Sequence, residues 1–480
     1  MKSIREITKQ RPWVPWVLFF VTTVVVFLIG LFASSIIERR SESKLYFQVV
    51  KEIPEWEPDN AVWGENYPRE YNTYITTLDT TFASKHGGGA AIDYLQKYPE
   101  LVVLWAGYAF SSDYKQGRGH YHAIEDITNT LRTAYSQPAT CWTCKSTDVP
   151  RLMDKMGIAN FYRGKWQDLG KEVLNPIGCQ DCHDPQTMNL RITRPALIEA
   201  YERSGRDINA ATHQEMRSLV CAQCHVEYYF KGEGKYLTFP WDRGQTADSM
   251  EKYYNEVNHI DFTHALSKTP VLKAQHPDFE MFQTGIHSQR GVACADCHMP
   301  YRREGGIKFT DHKIQSPLNN ISGSCQVCHR ESEATLLHNV YEIQDKTEQI
   351  RRIAEKNLYL VHVGSKLAYD NGATEDEMKS VHQLIRSSQW CWDWVAAANS
   401  IGFHSPVESL RVLALSIQRA QEARLLLLEV LFNHNVKLPF DIPKIATKAE
   451  AMKLINLEID KIKGEKAVFL TDVASGWKKK

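Results

Sequence analysis

Ten of the eleven cysteines in this 480-residue chain fall into five C-x-x-C pairs, and histidine directly follows four of them. The run C-x-x-C-H is the signature of covalent haem c attachment, in which both thiols bond to the porphyrin and the histidine binds the iron. We therefore expect five bulky, flat cofactors to fill the interior and to determine how it packs. The pairs are Cys141/Cys144, Cys179/Cys182 with His183, Cys221/Cys224 with His225, Cys294/Cys297 with His298, and Cys325/Cys328 with His329.

Two other uses of paired cysteines fit less well. Structural zinc sites place two such pairs about 15–20 residues apart, whereas the gaps here are longer and irregular. Disulfide bonds are common in exported proteins, but repeated C-x-x-C loops suit a disulfide scaffold poorly. The unpaired Cys391 is predicted to be a buried core thiol.

The first pair is followed by Lys145 instead of histidine. A lysine amine binds iron only when it is neutral, and both burial and the charge of the iron favour the neutral form. A ligand other than histidine is a recognised way to tune a haem. We interpret the haem that departs from the other four as the catalytic one, while a decayed motif or a remote ligand is the alternative.

The N-terminus predicts export. Lys2, Arg5, Lys9 and Arg11 precede an uncharged stretch from Pro12 to Ile37, which is followed by Glu38, Arg39 and Arg40. This stretch is long enough to span a bilayer, and Ala33-Ser34-Ser35 also resembles a cleavage site, so a retained anchor and a cleaved signal both stay open. In either case the basic flank stays in the cytoplasm and the rest is periplasmic.

The rest of the chain divides into regions of different composition and hydrophobic pattern. None of them sustains the alternation of apolar and polar residues that is typical of strands. We expect a mainly α, multihaem cytochrome c fold with long C-terminal helices and little β structure. Lys plus Arg equals Asp plus Glu, at 57 each, so nothing favours nucleic-acid binding. The predicted regions are 1–12 (cytoplasmic tail), 13–37 (anchor or signal), 38–60 (linker), 61–330 (pentahaem catalytic region), 331–440 (long helices) and 441–480 (C-terminal tail region).

Three long helices are predicted in the second half of the chain. The first is amphipathic and covers 333–369, and Thr374-x-x-Glu377 is a capping box that opens the second. Ser405 as N-cap and Pro406 at the first position open the third, which runs to about Asn433. Its apolar residues exceed what one narrow face needs, so they serve the monomer core or an interface.

At this point the motifs resemble a known family, the pentahaem ammonia-forming cytochrome c nitrite reductases. The resemblance runs from about Trp56 to Phe403 and further, and it rests on one C-x-x-C-K followed by four C-x-x-C-H. Two further segments carry it: Cys221-Ala-Gln-Cys224-His225-Val-Glu227-Tyr228-Tyr229-Phe230 and Lys268-Thr-Pro-Val-Leu-Lys273-Ala-Gln275-His276-Pro277.

The resemblance implies specific roles for several residues. The distal pocket of the lysine-bound haem would hold Arg132, Tyr228 and His276 as catalytic residues. Because the stretch from Arg132 to Cys141 is shorter than in some members, Arg118 is the alternative arginine. Distal iron ligands of the second to fifth haems would be, in that order, His312, His120, His404 and His287. One calcium ion per monomer would be bound by the Glu227 carboxylate, the Tyr228 and Lys273 carbonyls and the Gln275 side-chain oxygen, an oxygen set that suits calcium.

The function that the resemblance implies is dissimilatory reduction of nitrite to ammonium, a six-electron oxidoreductase reaction. It also implies a homodimer built from the long helices and a membrane quinol-oxidising multihaem cytochrome as electron donor. A related activity on hydroxylamine, sulfite or nitrogen oxides is one alternative. A non-catalytic electron-transfer cytochrome is the other.

Overall fold

The first described helix begins with a long, apolar and largely exposed segment. The computed structural model describes residues 10–45 and 49–477, so Lys2, Arg5 and Lys9 of the expected cytoplasmic tail lie outside the described residues. Helix α1 covers Val14–Leu45, and its part Val14–Arg39 is long and apolar enough to cross a membrane, although a signal sequence has the same properties. The helix continues through residues 38–45, the first part of the expected linker.

Short helices joined by loops and 3-10 turns form most of the region up to residue 330. Helices of this length are marginal by themselves, so tertiary contacts must hold them. They are α2 (Asn60–Asn66), α3 (Pro68–Ile75), α4 (Tyr94–Lys97), α5 (Glu100–Leu104), α6 (Ala123–Asn129), α7 (Asp148–Met156), α8 (Ile158–Arg163), α9 (Trp166–Leu169), α10 (Pro195–Arg203), α11 (His213–Ala222), α12 (Ala247–Glu256), α13 (Asp278–Gln283), α14 (Ile286–Gln289), α15 (Cys294–His298) and α16 (Ile321–Ser324).

The described β structure consists of three small antiparallel ribbons of two strands each. The expectation of a mainly helical fold with little β structure is confirmed. The ribbons pair β1 (Tyr229–Lys231) with β2 (Tyr236–Thr238), β3 (Phe262–Thr263) with β4 (Pro270–Val271), and β5 (Tyr301–Glu304) with β6 (Ile307–Thr310).

The three long helices lie close to their predicted bounds, at α17 (Glu333–Asp370), α18 (Glu375–Ala397) and α19 (Pro406–Asn433). Thr374 forms the predicted capping box, since its hydroxyl accepts from the Glu377 amide and the Glu377 carboxylate accepts from the Thr374 amide. Ser405 precedes α19, but its side chain makes no capping hydrogen bond. The predicted N-cap position of Ser405 and the predicted first helical position of Pro406 are both confirmed, with the Ser405 backbone at φ −151° and ψ 87°.

Helix α18 joins the long helices to the short ones through buried tryptophans. The indole N–H of Trp390 donates to the Ala247 carbonyl, and that of Trp392 donates to a carboxylate oxygen of Glu355 on α17. Each indole thus buries a large apolar area and still satisfies its donor. Cys391 is 2% exposed, as the sequence predicted.

Helix α19 has two apolar faces. Leu413 and Leu431 are buried against α17 and α18, whereas Leu425 is 69% exposed and Phe432 is 71% exposed. The first face belongs to the core of the monomer. The second exceeds what that core can cover.

Residues 441–477 are packed against the catalytic region, although the sequence suggested only a tail. They form α20 (Lys448–Leu454), α21 (Ile459–Asp472) and a 3-10 turn over Ala474–Trp477. Phe469 and Trp477 are buried, and both belong to the main core cluster.

The two helix starts allow a matched test. Replacing Thr374 with alanine removes a capping box, so we expect about 1 kcal/mol less stability. Replacing Ser405 with alanine removes no capping bond, so it should cost much less. Denaturant unfolding of the haem-loaded proteins, followed by circular dichroism, measures both. Equal losses would show that the capping bond at Thr374 contributes nothing.

Candidate haem centres and the site at Lys145

Each attachment motif folds into a tight turn that brings its cysteines and its histidine together. The amide of the histidine donates to the carbonyl of the first cysteine in three motifs, at 2.9 Å for His183, 3.0 Å for His225 and 2.9 Å for His329. The Lys145 amide instead donates to the Trp142 carbonyl at 2.9 Å. All eleven cysteines lie in the described residues and none forms a disulfide.

The fifth motif lies at the surface of the chain. Cys328 is exposed, whereas the other nine motif cysteines are partly buried. Cys328 is exposed because the chain leaves the interior just before it. The Ser324 hydroxyl still donates to the Cys297 carbonyl of the fourth motif at 2.7 Å, but residues 326–335 run along the surface. An exposed thiol can still bond to a porphyrin, so Cys328 stays a predicted attachment residue, but its haem would lie at the edge of the protein.

Four pairs of histidines face each other at nearly one distance. Two imidazoles that share an iron place their ring centres about 6.4 Å apart, given a metal–nitrogen bond of about 2.0 Å and roughly 1.2 Å from nitrogen to ring centre. Each observed pair joins a motif histidine to the distal histidine expected for the same haem. The ring-centre distances are 6.2 Å for His183 and His312, 6.2 Å for His120 and His225, 6.3 Å for His298 and His404, and 6.3 Å for His287 and His329.

The surroundings of these rings suit iron binding. The Nδ1 atoms of His183, His298 and His312 donate to backbone carbonyls at 2.8–2.9 Å. That bond fixes the proton on Nδ1 and leaves the Nε2 lone pair for a metal. Burial lowers the pKa of His183 to about 4 and that of His120 to about 3, so both rings are neutral near pH 7. The residues therefore fit four haems with two histidine ligands each.

Zinc is a poorer fit to the same side chains. Among the described residues, no three His, Cys, Asp or Glu side chains are grouped so that they could hold a metal ion directly. A tetrahedral zinc site needs four such ligands around one point. The gap between paired imidazoles instead matches one iron that would be bound by a nitrogen of each ring.

Neighbouring motifs touch one another through their thiols. Cys144 of the first motif contacts Cys224 of the third, and Cys221 of the third contacts Cys294 of the fourth. The fourth and fifth motifs meet at Cys297 and Cys325. The attachment sites therefore form a continuous series from the first through the third and fourth to the fifth.

The three predicted distal residues border the first motif. Burial raises the pKa of Cys141 to about 11, while Lys145 and Arg132 act in the opposite direction. Burial also raises the pKa of Tyr228 well above its usual value, with Cys144 and Cys141 adding to the shift. Burial and the Lys145 charge lower the pKa of His276 to about 3. Tyr228 thus keeps its proton, and His276 is neutral.

The two candidate arginines differ in their surroundings. Arg118 forms ion pairs with Glu125 at 3.0 Å and Asp126 at 2.6 Å, which neutralise its charge. Arg132 has no carboxylate partner among the described residues. Its guanidinium lies 4.3 Å from the Phe110 ring centre, and its Nε is 3.3 Å from the Thr130 hydroxyl. Arg132 is therefore the arginine that can still bind an anion.

The predicted calcium ligands meet behind Tyr228. Glu227 is fully buried and accepts from the Tyr254 hydroxyl at 2.8 Å and from the Gln275 amide at 2.6 Å. The Gln275 side chain reaches the Lys273 carbonyl at 3.1 Å. Burial raises the pKa of Glu227 well above its usual value, because it removes the carboxylate charge from water. A divalent cation among these oxygens would offset that charge.

Several supporting residues could not be found from sequence spacing. Arg194 is 1% exposed and donates to the Thr143 carbonyl at 2.8 Å and to the Asp181 carboxylate at 2.6 Å, so it ties the first motif to the second. Asp278 lies 3.6 Å from His225 and 4.0 Å from His404. No pattern marks these contacts, because each joins segments far apart in the chain.

Comparison with known proteins covers almost the whole chain. A model of the cytochrome c552 family matches residues 59–480. Cytochrome c-552 of Parabacteroides distasonis is 53% identical over 479 residues, which are 98% of this chain and 97% of that protein. Cytochrome c-552 of Bacteroides thetaiotaomicron is 53% identical over 483 residues, with 98% and 97% coverage.

A solved structure is similar in fold and sequence. It is the catalytic subunit of cytochrome c nitrite reductase from Desulfovibrio desulfuricans, described with two calcium sites. It matches with a TM-score of 0.78 and 32% identity, and the match covers 83% of this chain and 92% of that one. The similarity therefore extends beyond the motifs to the architecture around them.

The buried Arg194–Asp181 pair gives a prediction. Changing Arg194 to methionine leaves Asp181 charged and unpaired in the interior, so we expect a loss of about 3–5 kcal/mol. The partly exposed Arg203–Asp242 pair is the control, and Arg203→Met should cost about 0–1 kcal/mol. Denaturant unfolding of both variants at full haem content measures the difference. Similar losses would contradict a special role for Arg194.

Proposed function

This chain belongs to the cytochrome c552 family, and from that premise we propose that it is a nitrite reductase that forms ammonium at the haem bound through Lys145. One observation carries the proposal. Four motif histidines face a second histidine at 6.2–6.3 Å, whereas the neighbours of Lys145 are residues that can bind and protonate a small anion. We therefore assign substrate binding to the site at Lys145.

The proposed cofactors are five haem c groups and a calcium ion. When bound, the haem at Lys145 would supply an open iron position for the nitrite nitrogen and would deliver electrons. The residues that would attach it are Cys141, Cys144 and Lys145. The calcium ion would hold Glu227 and the Tyr228 carbonyl, and so would fix the direction of the Tyr228 phenol.

In the proposed pocket, one residue supplies a positive charge and two supply protons. Reduction of nitrite to ammonium takes up six electrons and eight protons and releases two water molecules. Arg132 keeps an unneutralised positive charge that binds the anion and polarises its oxygens. His276 and Tyr228 each hold a proton that they can donate as a hydrogen bond to those oxygens. Protons passed on by these two groups must then be replaced from solvent.

The thiol contacts between motifs support an electron path. In the proposed enzyme, electrons would enter at the fifth haem, beside the exposed Cys328, and pass along the fourth and third haems to the one at Lys145. Two histidine ligands on each relay haem leave no position for substrate, so these haems would carry electrons only. The second motif lies near the third, since Cys224 contributes to the raised pKa of Cys182. The second haem would therefore offer another point at which electrons enter the series of haems.

The assembly is proposed from the exposed surfaces. Leu425 and Phe432 on the outer face of α19 would be covered in a homodimer formed by the long helices. The exposed α1 fits a membrane anchor or a signal segment, and either would make residues 61–477 periplasmic. A membrane quinol-oxidising multihaem cytochrome would then be the electron donor.

The central test is chemical. Purified protein with five haems, reduced viologen and nitrite should release ammonium, with six electrons consumed per nitrite. Lys145→His should retain five haems and show altered turnover, because the ligand of the reactive haem has changed. Ammonium assays and haem quantification measure both. If no ammonium forms, the proposed enzyme activity is wrong and an electron-transfer role is favoured. If turnover is unchanged in Lys145→His, Lys145 has no special role.

The two arginines separate in a second test. Arg132→Ala should lower kcat/KM for nitrite by about 10²–10³-fold, the usual cost of losing one preorganised charge-stabilising group. Arg118→Gln should change kcat/KM only a few-fold, since Arg118 is already neutralised by two carboxylates. Steady-state kinetics on both variants gives the comparison. A larger loss in Arg118→Gln than in Arg132→Ala would reverse the assignment.

A further inference from the structure

The segment Ile459–Trp477, which we call the C-terminal clamp, lies against the site at Lys145. It consists of α21 and the following 3-10 turn. One side of α21 is exposed and carries Lys461 and Lys463, with side chains 62% and 61% exposed. The other side is buried and carries Lys466 and Phe469. The Lys466 ammonium therefore points toward the catalytic region.

Lys466 is buried and forms no direct ion pair among the described residues. It is 3% exposed, and the Asp113 carboxylate favours its charged form without pairing with it directly. Its ammonium lies 4.5 Å from the Phe469 ring centre and 5.9 Å from that of Trp166. Burial lowers the pKa of Lys466 to about 8. A lysine is costly in such a place, so its polar contacts explain its position better than its charge does.

The main polar contact of Lys466 is Thr133, the residue after Arg132. The Lys466 ammonium donates to the Thr133 hydroxyl at 2.9 Å, and that hydroxyl in turn donates to the Ile127 carbonyl at 2.8 Å. Thr133 ends the 3-10 turn Leu131–Thr133, which carries Arg132. Lys466 therefore fixes the C-terminal end of this turn.

The N-terminal end of the same turn is held by Asp113. Its carboxylate accepts from the Thr130 hydroxyl at 2.9 Å and from the Leu131 amide at 3.0 Å. Among the described residues, the Arg132 guanidinium makes one side-chain hydrogen bond, to the Thr130 hydroxyl, and one cation–π contact, with the Phe110 ring. The position of its guanidinium thus depends on where the backbone turn lies.

The clamp also contacts the attachment loop. The Trp477 ring packs edge-on against Trp142, which lies between Cys141 and Cys144, with ring centres 6.0 Å apart. Trp477 leaves no space at Gly170, where a Cβ atom would lie 2.1 Å from the indole. One segment therefore contacts both the turn that carries Arg132 and the loop that carries Lys145.

We propose that Lys466 is a positioning residue, which holds the Arg132 guanidinium at the distance from Lys145 that nitrite binding requires. The inference rests on the proposed function, because it concerns the same pocket. Displacement of a binding group by about 1 Å costs up to about a hundredfold in rate or affinity. Loss of the Lys466–Thr133 contact should therefore weaken the binding of nitrite while the haems and their ligands remain in place.

The experiment compares three single variants and one double variant of the full haem-loaded chain. Lys466→Met should raise KM for nitrite about tenfold, with kcat changed far less and with five haems retained. Lys463→Met, on the exposed side of α21, is the matched control and should behave as the wild type. In an Arg132→Ala background, Lys466→Met should raise KM by less than about twofold, because the group it positions is gone.

The outcomes separate the two proposals. If Arg132→Ala leaves KM unchanged, the proposed role of the pocket fails. If Arg132→Ala raises KM but Lys466→Met does not, only the positioning role of Lys466 is overturned. Equal effects of Lys466→Met with and without Arg132 would also overturn it. Titration of the oxidised protein with nitrite, followed by haem absorbance, tests the affinity directly, even if turnover is slow.

Discussion

Two imidazoles that face each other across the width of one iron atom and its bonds are the constraint on which this architecture depends. Each of the four pairs joins histidines far apart in sequence, such as His120 with His225. The chain must therefore return to each motif from a distant segment, and short helices with long loops allow such returns better than extended sheets do. Burial lowers the pKa of His120 to about 3, and the neutral ring is the form that binds iron.

Burial imposes a second requirement, because the backbone around the motifs is rich in polar groups that water cannot reach. Arg194 satisfies carbonyls of the first motif and pairs with Asp181 of the second. Asp393 of α18 accepts from Lys273 and from the Ala274 amide, next to the loop that carries His276. Burial still raises the pKa of Asp393 to about 6. Paired charges of this kind specify one arrangement more than they add stability.

Local sequence patterns predicted the features that depend on residues close together in the chain. The cysteine spacing identified the attachment turns, and periodicity with a capping box located α17 and α18 closely. The same spacing could not show that Cys328 is exposed, because exposure depends on which segments pack over a turn. The serine-proline pattern located the start of α19, but it could not show that the Ser405 hydroxyl makes no capping bond, because that depends on the backbone angles before the helix. The distal histidines came from resemblance, since spacing alone cannot pair His312 with His183. Lys466 carried no signal, because its contact with the Arg132 turn exists only after the chain has folded.

The contact between Lys466 and Thr133 joins residues 333 positions apart. At a synthesis rate of about 5–20 residues per second, roughly 15–70 s separate the appearance of the two partners. During that interval Cys141 and Cys144 are present, while the segment that later packs against Trp142 does not yet exist. The Trp477 ring that packs against Trp142 is thus among the last parts of the chain to be made, so the finished first attachment loop depends on the final residues of the protein.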